Sequence, residues 1–228
     1  MRPETHEPVT LGRTTTPRGE VVLRRRGDVD ELIVDGTFAM DSTETSSERE
    51  LGRLAAGARR VLIGGLGLGY TVAAVLDEAD AGPHAVAVDV VELEPVLIAW
   101  ARAGRTGTLA RAAGDPRVRL HAADVASVLA GETGPVGPWD AILLDVDNGP
   151  DFLIHPQNHA LYAEPGLSDA YARLAPGGVL AIWCQAPSAL LLDALQRVHP
   201  SAREARHTVR REGRTFVYAI DTVRRPPA

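Results

Sequence analysis

A glycine-rich turn between a short apolar segment and a helical one is the feature of this 228-residue sequence that most restricts its fold. Arg60–Gly64 predicts a buried strand, 70–79 predicts a helix, and the run Gly64-Gly65-Leu66-Gly67-Leu68-Gly69 joins them. Glycine adopts positive φ and lets a backbone approach a ligand closely, so such a turn is typical of nucleotide-binding sheets. It also occurs as a plain connector, and further features must decide between the two interpretations.

Strand-like and helix-like segments alternate after this turn, which favours a parallel sheet with right-handed crossovers. The further predicted strands are 85–92, 117–121, 140–145 and 178–184, and the further predicted helices are 95–105 and 126–130. The end of the chain breaks the alternation. Arg203–Arg211 and 215–221 are both strand-like and are separated by Glu212-Gly213, which predicts an antiparallel hairpin that completes the sheet.

The sequence before the glycine turn predicts a smaller unit. Val21-Val22-Leu23 and Glu31-Leu32-Ile33-Val34 flank Gly27-Asp28, a pattern typical of a β-hairpin, and a helix is expected before residue 58. Residues 1–18 are polar and rich in proline and threonine. We therefore predict a flexible leader (1–18), a β-hairpin with a helix (19–58) and the main α/β domain (59–228).

Composition excludes several classes of function. All 24 basic residues are arginine, so a P-loop and a pyridoxal-phosphate site lack the lysine that each requires. The net charge of −6 argues against nucleic acid as a partner. The apolar segments are too short to cross a membrane, and the single cysteine, Cys184, cannot form an internal disulfide. A cytoplasmic location is expected.

Acidic residues follow two of the predicted strands, where a nucleoside would lie. Glu92 ends the second strand, 23 residues beyond Gly69, and is placed to accept the ribose hydroxyls. Asp124 follows the third strand and is either a partner for the adenine amino group or a helix N-cap. The glycine pattern is Gly-x-Gly-x-Gly, and Tyr70 stands where a dinucleotide site needs its third glycine. These features favour S-adenosylmethionine, which has no phosphate.

Two aspartates follow the fourth predicted strand. Asp145 and Asp147 are predicted catalytic residues that hold an acceptor, take its proton or stabilise a sulfonium; the alternative for Asp147 is a simple turn with Asn148-Gly149-Pro150. A long loop to residue 162 can cover the acceptor. His155 and His159 in that loop can also join a metal site, but no tight ligand motif is present and no metal is expected.

The sequence resembles the spermidine synthase branch of the class I methyltransferase superfamily. The matching segments are Arg60 to Gly69, Val91-Glu92-Leu93-Glu94-Pro95, Asp115-Pro116-Arg117-Val118, Ala123-Asp124, Ala175 to Leu180, Cys184-Gln185 and the upstream Asp41-Ser42-Thr43-Glu44. The resemblance implies a Rossmann-like α/β class I methyltransferase fold with an N-terminal β-hairpin, a small-molecule acceptor and S-adenosylmethionine or its decarboxylated form as co-substrate. It also leaves open a homodimer.

Sequence positions and resemblance together give the candidate site. The predicted cofactor-binding residues are Asp41, Gly65, Gly67, Leu68, Gly69, Glu92, Leu93, Asp124, Val125 and Asp145. The predicted acceptor-loop residues are Asn148, His155, His159, Tyr162 and Gln185.

Several family residues differ in this chain. Leu68 replaces the loop aspartate that engages the aminopropyl amine in the family, Asp41 replaces a glutamine, and Asn148 replaces an amine-binding aspartate. Ser47-Glu48-Arg49-Glu50 replaces a Tyr-His/Gln-Glu segment of the polyamine pocket. We therefore expect methyl transfer to a small amine or hydroxyl acceptor. The alternatives are aminopropyl transfer and a non-catalytic nucleoside-binding protein.

Overall fold

The structure, a computed structural model, describes residues 7–211 and 214–228. Its N-terminal part is a four-stranded antiparallel sheet in the order β1-β2-β3-β4. The strands are β1 (Val9–Thr16), β2 (Gly19–Arg26), β3 (Val29–Val34) and β4 (Thr37–Asp41). The predicted hairpin around Gly27-Asp28 is confirmed, since Arg26 pairs with Val29 across that turn.

The first of these strands corrects the prediction of a flexible leader through residue 18. Val9–Thr16 pairs with β2 along its length, with Arg13 opposite Val22. The strand is threonine-rich and mostly exposed, so it shows no apolar stripe, although β-branched side chains favour extended backbone. Residues 1–6 lie outside the described residues.

The main part is a seven-stranded sheet in the order β10-β11-β9-β8-β5-β6-β7. Its strands are β5 (Arg60–Gly64), β6 (Ala87–Glu92), β7 (Val118–Ala122), β8 (Trp139–Leu144), β9 (Leu174–Cys184), β10 (Arg203–Arg211) and β11 (Arg214–Arg224). The five strands β5 to β9 are parallel, and β11 and β10 complete the sheet in antiparallel pairs. This confirms the predicted parallel sheet and its C-terminal hairpin; the turn residues 212–213 lie outside the described residues.

Helices cover both faces of this sheet. They are α1 (Ser46–Arg53), α2 (Tyr70–Ala81), α3 (Pro95–Arg102), α4 (Gly107–Gly114), α5 (Val125–Ala130), α6 (His159–Tyr162), α7 (Glu164–Ala172) and α8 (Ala189–Val198). One core contains apolar residues of α1 to α4, and the other contains those of α5 to α8. In β5, Val61 and Ile63 belong to the first core and Leu62 to the second, as the alternation of side chains along a strand requires. Within the described residues, no helix is long and apolar enough to cross a membrane.

The N-terminal sheet packs against the first of these cores. A side chain at Gly12 of β1 would stand 2.6 Å from the Trp100 ring in α3, so the absence of a Cβ permits this close approach. Arg18 Nε donates to Glu94 Oε1 at 2.6 Å, and Arg18 Nη2 donates to the carbonyl of Leu93 at 2.6 Å. These contacts hold the small sheet beside the carboxyl end of β6.

Candidate active site

A cleft opens where the N-terminal sheet meets the carboxyl ends of the parallel strands. Ligands of open α/β sheets bind at this end of the sheet. The residues that line the cleft are Leu32, Val34, Ala39, Met40, Glu48, Gly65, Gly67, Val91, Glu92, Leu93, Glu94, Leu97, Asp124, Val125, Asp145, Val146, Asp147, Asn148, Ile154, His155, Asn158 and Trp183.

The glycine turn lies between the ends of two strands, and its glycine positions leave little room for a side chain. Gly65 has φ of +89°, and its N–H donates to the carbonyl of Val91 at 2.8 Å. A Cβ on Gly65 would overlap the backbone carbonyl of Asp145. A Cβ on Gly67, which has φ of +50°, would stand 2.7 Å from Met40 Sδ. Close packing against backbone therefore requires glycine at position 65, and the positive φ favours glycine at position 67.

The carboxyl group of Glu92 is held by the backbone of this turn. Its Oε2 accepts from the N–H of Leu66 at 2.8 Å, and its Oε1 accepts from the N–H of Glu94 at 2.7 Å. Burial raises the pKa of Glu92, and the two backbone donors partly offset that effect. The group is thus fixed at the cleft wall, where it can accept hydrogen bonds from a ligand as well.

Asp124 is the N-cap of a helix, which is one of the two interpretations considered for it, and it also lies at the cleft wall. Its Oδ1 accepts from the N–H of Ala126 at 2.8 Å and caps α5, and its side chain also lines the cleft. Leu93 and Val125, its predicted neighbours in the cofactor set, line the cleft as well. The carboxyl ends of β6 and β7 therefore both place carboxyl groups at the same space.

Asp145 follows β8 and faces the opposite half of the cleft. Thr71, in the first turn of α2, donates its hydroxyl to Asp145 Oδ2 at 2.6 Å. Burial raises the pKa of Asp145, and the hydrogen bond from Thr71 opposes this effect. A carboxyl group with a raised pKa in a cleft is suited to exchange a proton with a substrate.

Asp147 organises the loop that follows it. Its Oδ1 accepts from the N–H of Ile154 at 2.8 Å, and its Oδ2 accepts from Asn158 Nδ2 at 2.6 Å. The side chain lines the cleft but is only 5% exposed. The hydrogen bonds of Asp147 thus hold the loop in place. Asn148 and His155 of the same loop lie at the cleft wall.

Other predicted site residues do not line the cleft. Leu68 is 1% exposed and belongs to the first core. Gly69, with φ of +88°, begins α2; Asp41 accepts from the N–H of Thr43 at 2.9 Å at the end of β4. The remaining three are His159 and Gln185, which are exposed, and Tyr162, which is buried in the second core.

Four polar or aromatic residues of the cleft were not among the predicted site residues, and one of them is Glu94, which pairs with Arg18. Glu48 is 6% exposed and reaches the cleft from α1, which packs on α2 and β9. Trp183 ends β9 against Tyr218, with ring centroids 5.3 Å apart, and its buried Nε1 has no hydrogen-bond partner among the described residues. Asn158 contacts Asp147. Among the other three, only Glu48 had a sequence signal, because it lies in the segment 47–50 that replaces a polyamine-pocket segment of the family.

The cleft is acidic. Six carboxyl side chains line it, and within the described part of the chain no arginine does. The carboxyl group of Glu94 is paired with Arg18, which leaves five without an arginine partner among the described residues. Over the same residues, no group of three or more histidine, cysteine, aspartate or glutamate side chains is arranged to hold a metal ion. The concentration of carboxyl groups favours a positively charged ligand in the cleft.

Comparison with known proteins supports the resemblance. No family model matches the sequence. The polyamine aminopropyltransferase of Mycobacterium tuberculosis (strain H37Rv) is 30% identical over 171 residues, which are 74% of this chain and 31% of that protein. The chain thus spans about a third of the length of the curated relatives that it matches.

Solved structures show the same fold. A probable spermidine synthase from Corynebacterium glutamicum aligns with a TM-score of 0.60 and 19% identity, over 92% of this chain and 78% of that one. The 1,6-didemethyltoxoflavin-N1-methyltransferase of Burkholderia thailandensis, solved with bound 1,6-didemethyltoxoflavin and S-adenosylhomocysteine, aligns with a TM-score of 0.51 and 21% identity. The alignment covers 81% of this chain and 80% of that one. The fold is the Rossmann-like class I methyltransferase fold.

Proposed function

We propose that this chain, a spermidine synthase-like member of the class I methyltransferase superfamily, transfers a methyl group from S-adenosylmethionine to a small acceptor. One observation carries the proposal. The glycine turn and the carboxyl groups of Glu92, Asp124 and Asp145, from the ends of three parallel strands, all face one cleft. Nucleoside recognition and proton transfer need these groups at such an edge.

The nucleoside half of the cleft is formed by the glycine turn, Glu92 and Asp124. Glu92 is assigned to the ribose hydroxyls, because its carboxyl group is already fixed by two backbone donors. Asp124 is assigned to the adenine amino group, and Gly67 lines the same cleft without a side chain of its own. The bound nucleoside would supply an electrophilic carbon on a positively charged sulfur.

The acceptor half is formed around Asp145. Its carboxyl group, oriented by Thr71, holds the acceptor and takes the proton that the acceptor loses. Since Asp145 lies beside the glycine turn, acceptor and nucleoside would meet there. Asp147 acts through the loop that it holds, and we assign it to positioning.

Aminopropyl transfer from the decarboxylated nucleoside is the second candidate, and the acidic cleft favours it. S-adenosylmethionine carries a carboxylate for which no arginine is available among the lining residues, whereas the decarboxylated form carries only positive charge in that part. The buried position of Leu68 favours methyl transfer, because the turn then offers no carboxylate to an aminopropyl amine.

Binding and product analysis distinguish the candidates. Calorimetry with S-adenosylmethionine, its decarboxylated form and S-adenosylhomocysteine would rank the nucleosides. Mass spectrometry after incubation with amines and phenols would then detect S-adenosylhomocysteine or methylthioadenosine as the product. Preference for the decarboxylated form together with methylthioadenosine would contradict methyl transfer, and binding of no nucleoside would contradict both candidates. Binding without any product, unaltered in Asp145→Asn, would identify a non-catalytic protein.

A further inference from the structure

The thioether of Met40 joins the N-terminal sheet to the glycine turn. Met40 lies on β4 and lines the cleft, and its Sδ accepts a hydrogen bond from the N–H of Leu68 at 3.3 Å. The same sulfur packs against the backbone of Gly67, because a Cβ at that position would stand only 2.7 Å from it. One side chain of the small sheet therefore contacts two consecutive residues of the turn.

The hydrogen bond to sulfur is the weakest of those that hold the turn. Three other N–H groups of the turn, those of Gly65, Leu66 and Gly69, donate to oxygen atoms at 2.8 Å. A thioether sulfur is a weaker acceptor than a carbonyl or carboxylate oxygen. The turn is therefore most easily released at its contact with Met40.

The sulfur of Met40 is accessible from the cleft but lies in apolar surroundings. Its side chain is partly exposed, packs against the first core and stands opposite Leu32 of β3, which also lines the cleft. Hydrogen peroxide converts a thioether to a sulfoxide: the sulfur gives up two electrons and gains an S–O bond, while the O–O bond of the peroxide breaks and water leaves. Since Sδ contacts the turn and the side chain lines the cleft, the added oxygen takes up space in one or the other.

We propose that Met40 is a positioning residue for the nucleoside and a modification site, whose oxidation by hydrogen peroxide releases the glycine turn and lowers nucleoside affinity. The proposal rests on the proposed binding of a nucleoside and adds a means of regulating it. The sulfoxide group is polar and larger than the thioether, so it disrupts the apolar contact with the turn, and the N–H of Leu68 loses its acceptor. Methionine sulfoxide reductase would reverse the change.

Calorimetry with S-adenosylhomocysteine before and after peroxide treatment tests the proposal in the full chain. Met1 and Met40 are the only methionines, and cleavage at arginine isolates Met40 in residues 27–49, so mass spectrometry can follow its oxidation. We expect the Kd to rise about tenfold or more once Met40 is fully oxidised, and to return to within about twofold after reductase treatment. An unchanged Kd at complete oxidation would overturn the proposal.

Two variants assign the peroxide response to one sulfur atom. Met40→Leu keeps a similar volume but lacks the sulfur; it should bind S-adenosylhomocysteine about two- to fivefold more weakly than wild type and show no further change with peroxide. Cys184→Ala is the matched control, because it removes a sulfur atom that is buried in the second core, and it should keep the full response. A full response in Met40→Leu, or its loss in Cys184→Ala, would overturn the proposal.

Amide hydrogen exchange without nucleoside separates this proposal from the transfer reaction. In oxidised wild type and in Met40→Leu, exchange at Leu68 should accelerate about threefold or more, because its N–H loses its partner. Exchange at Leu66, whose N–H donates to Glu92, should stay at the wild-type rate. If no nucleoside binds but Leu68 responds in this way, the proposed function fails and the positioning of the turn by Met40 stands. Unaltered exchange at Leu68 would overturn that positioning role.

Discussion

Gly65 and Leu68, three positions apart in one turn, show how single side chains determine what the site can do. At Gly65 the missing side chain is the essential property, since the backbone carbonyl of Asp145 occupies the place of a Cβ. At Leu68 the side chain is 1% exposed and lies in a hydrophobic core. Leu68, one of the residues that differ from the family pattern, is therefore a packing residue in this chain.

Gly65→Ala should destabilise the fold and abolish nucleoside binding. The substitution forces positive φ on alanine and adds a steric overlap, so we expect a loss of about 3 kcal/mol or more in the free energy of unfolding. Gly57→Ala is the control, because Gly57 also has positive φ, of +79°, but nothing within 4 Å of its Cβ. It should cost only about 1–2 kcal/mol. Equal losses in urea denaturation would show that the contact with Asp145 does not matter.

Leu68→Asp should destabilise the protein rather than create an aminopropyl site. A charged side chain at this buried position costs about 3–5 kcal/mol. Calorimetry on the folded fraction should show no gain in affinity for decarboxylated S-adenosylmethionine. Leu190→Asp, at a position that is 76% exposed, is the matched control and should leave stability within about 0.5 kcal/mol of wild type. Tighter binding by Leu68→Asp would place its side chain in the cleft.

At the scale of elements, the loop after β8 depends on one carboxyl group. Asp147 accepts hydrogen bonds from the N–H of Ile154 and from Asn158, at sequence separations of seven and eleven residues. Removing it leaves those donors buried without partners, which costs about 1–3 kcal/mol locally. The loop is thereby coupled to the same strand end that positions Asp145.

Asp147→Ala should loosen this loop while the nucleoside half stays intact. We expect amide hydrogen exchange at Ile154 to accelerate at least about tenfold, since the opening free energy falls by 1.4 kcal/mol or more. The Kd of S-adenosylhomocysteine should change little. Asp151→Ala changes an exposed aspartate of the same loop and should leave the exchange rate of Ile154 unaltered. Equal exchange rates of the Ile154 amide in the two variants would show that Asp147 does not hold the loop.

The sequence predicted the elements whose patterns are local. The short apolar strands β5, β6 and β8 are recognisable because both of their faces are buried, and the glycine turn marks the start of α2. Since parallel strands end at one edge, Glu92, Asp124 and Asp145 could be assigned to a common site. The exposed strand β1 gave no apolar pattern, and α7 and α8 were not predicted. Glu48 and Trp183 could not be placed, because tertiary packing of α1 against β9 brings them to the cleft.

At the scale of the whole molecule, the fold buries several carboxyl groups and thereby raises their pKa values. Burial raises the pKa values of Glu48, Glu92, Asp145 and Asp147 around the cleft. A fifth group, Asp221 of β11, lies far along the sheet from the glycine turn. Its side chain is 0% exposed, and both oxygens lack a hydrogen-bond partner among the described residues. Each group makes the folded state hold protons that the unfolded chain releases.

Stability should therefore fall as the pH rises from about 4 to above 7, and Asp221→Asn should weaken that trend. Burial, and then the charge of Glu204 on the paired position of β10, raise the pKa of Asp221 from 3.8 to about 7. Below pH 4 the group is protonated in both states and contributes nothing to the slope; above pH 7 the full penalty of ionising it is present. That penalty is on the order of 2–4 kcal/mol. In urea denaturation, the free energy of unfolding of Asp221→Asn should increase relative to that of wild type as the pH rises from 5 to 8. The control is Asp193→Asn, on the exposed side of α8, whose free energy of unfolding should vary with pH as that of wild type does. If the Asp221→Asn curve also ran parallel to the wild-type curve, Asp221 would already be ionised in the folded protein at pH 5.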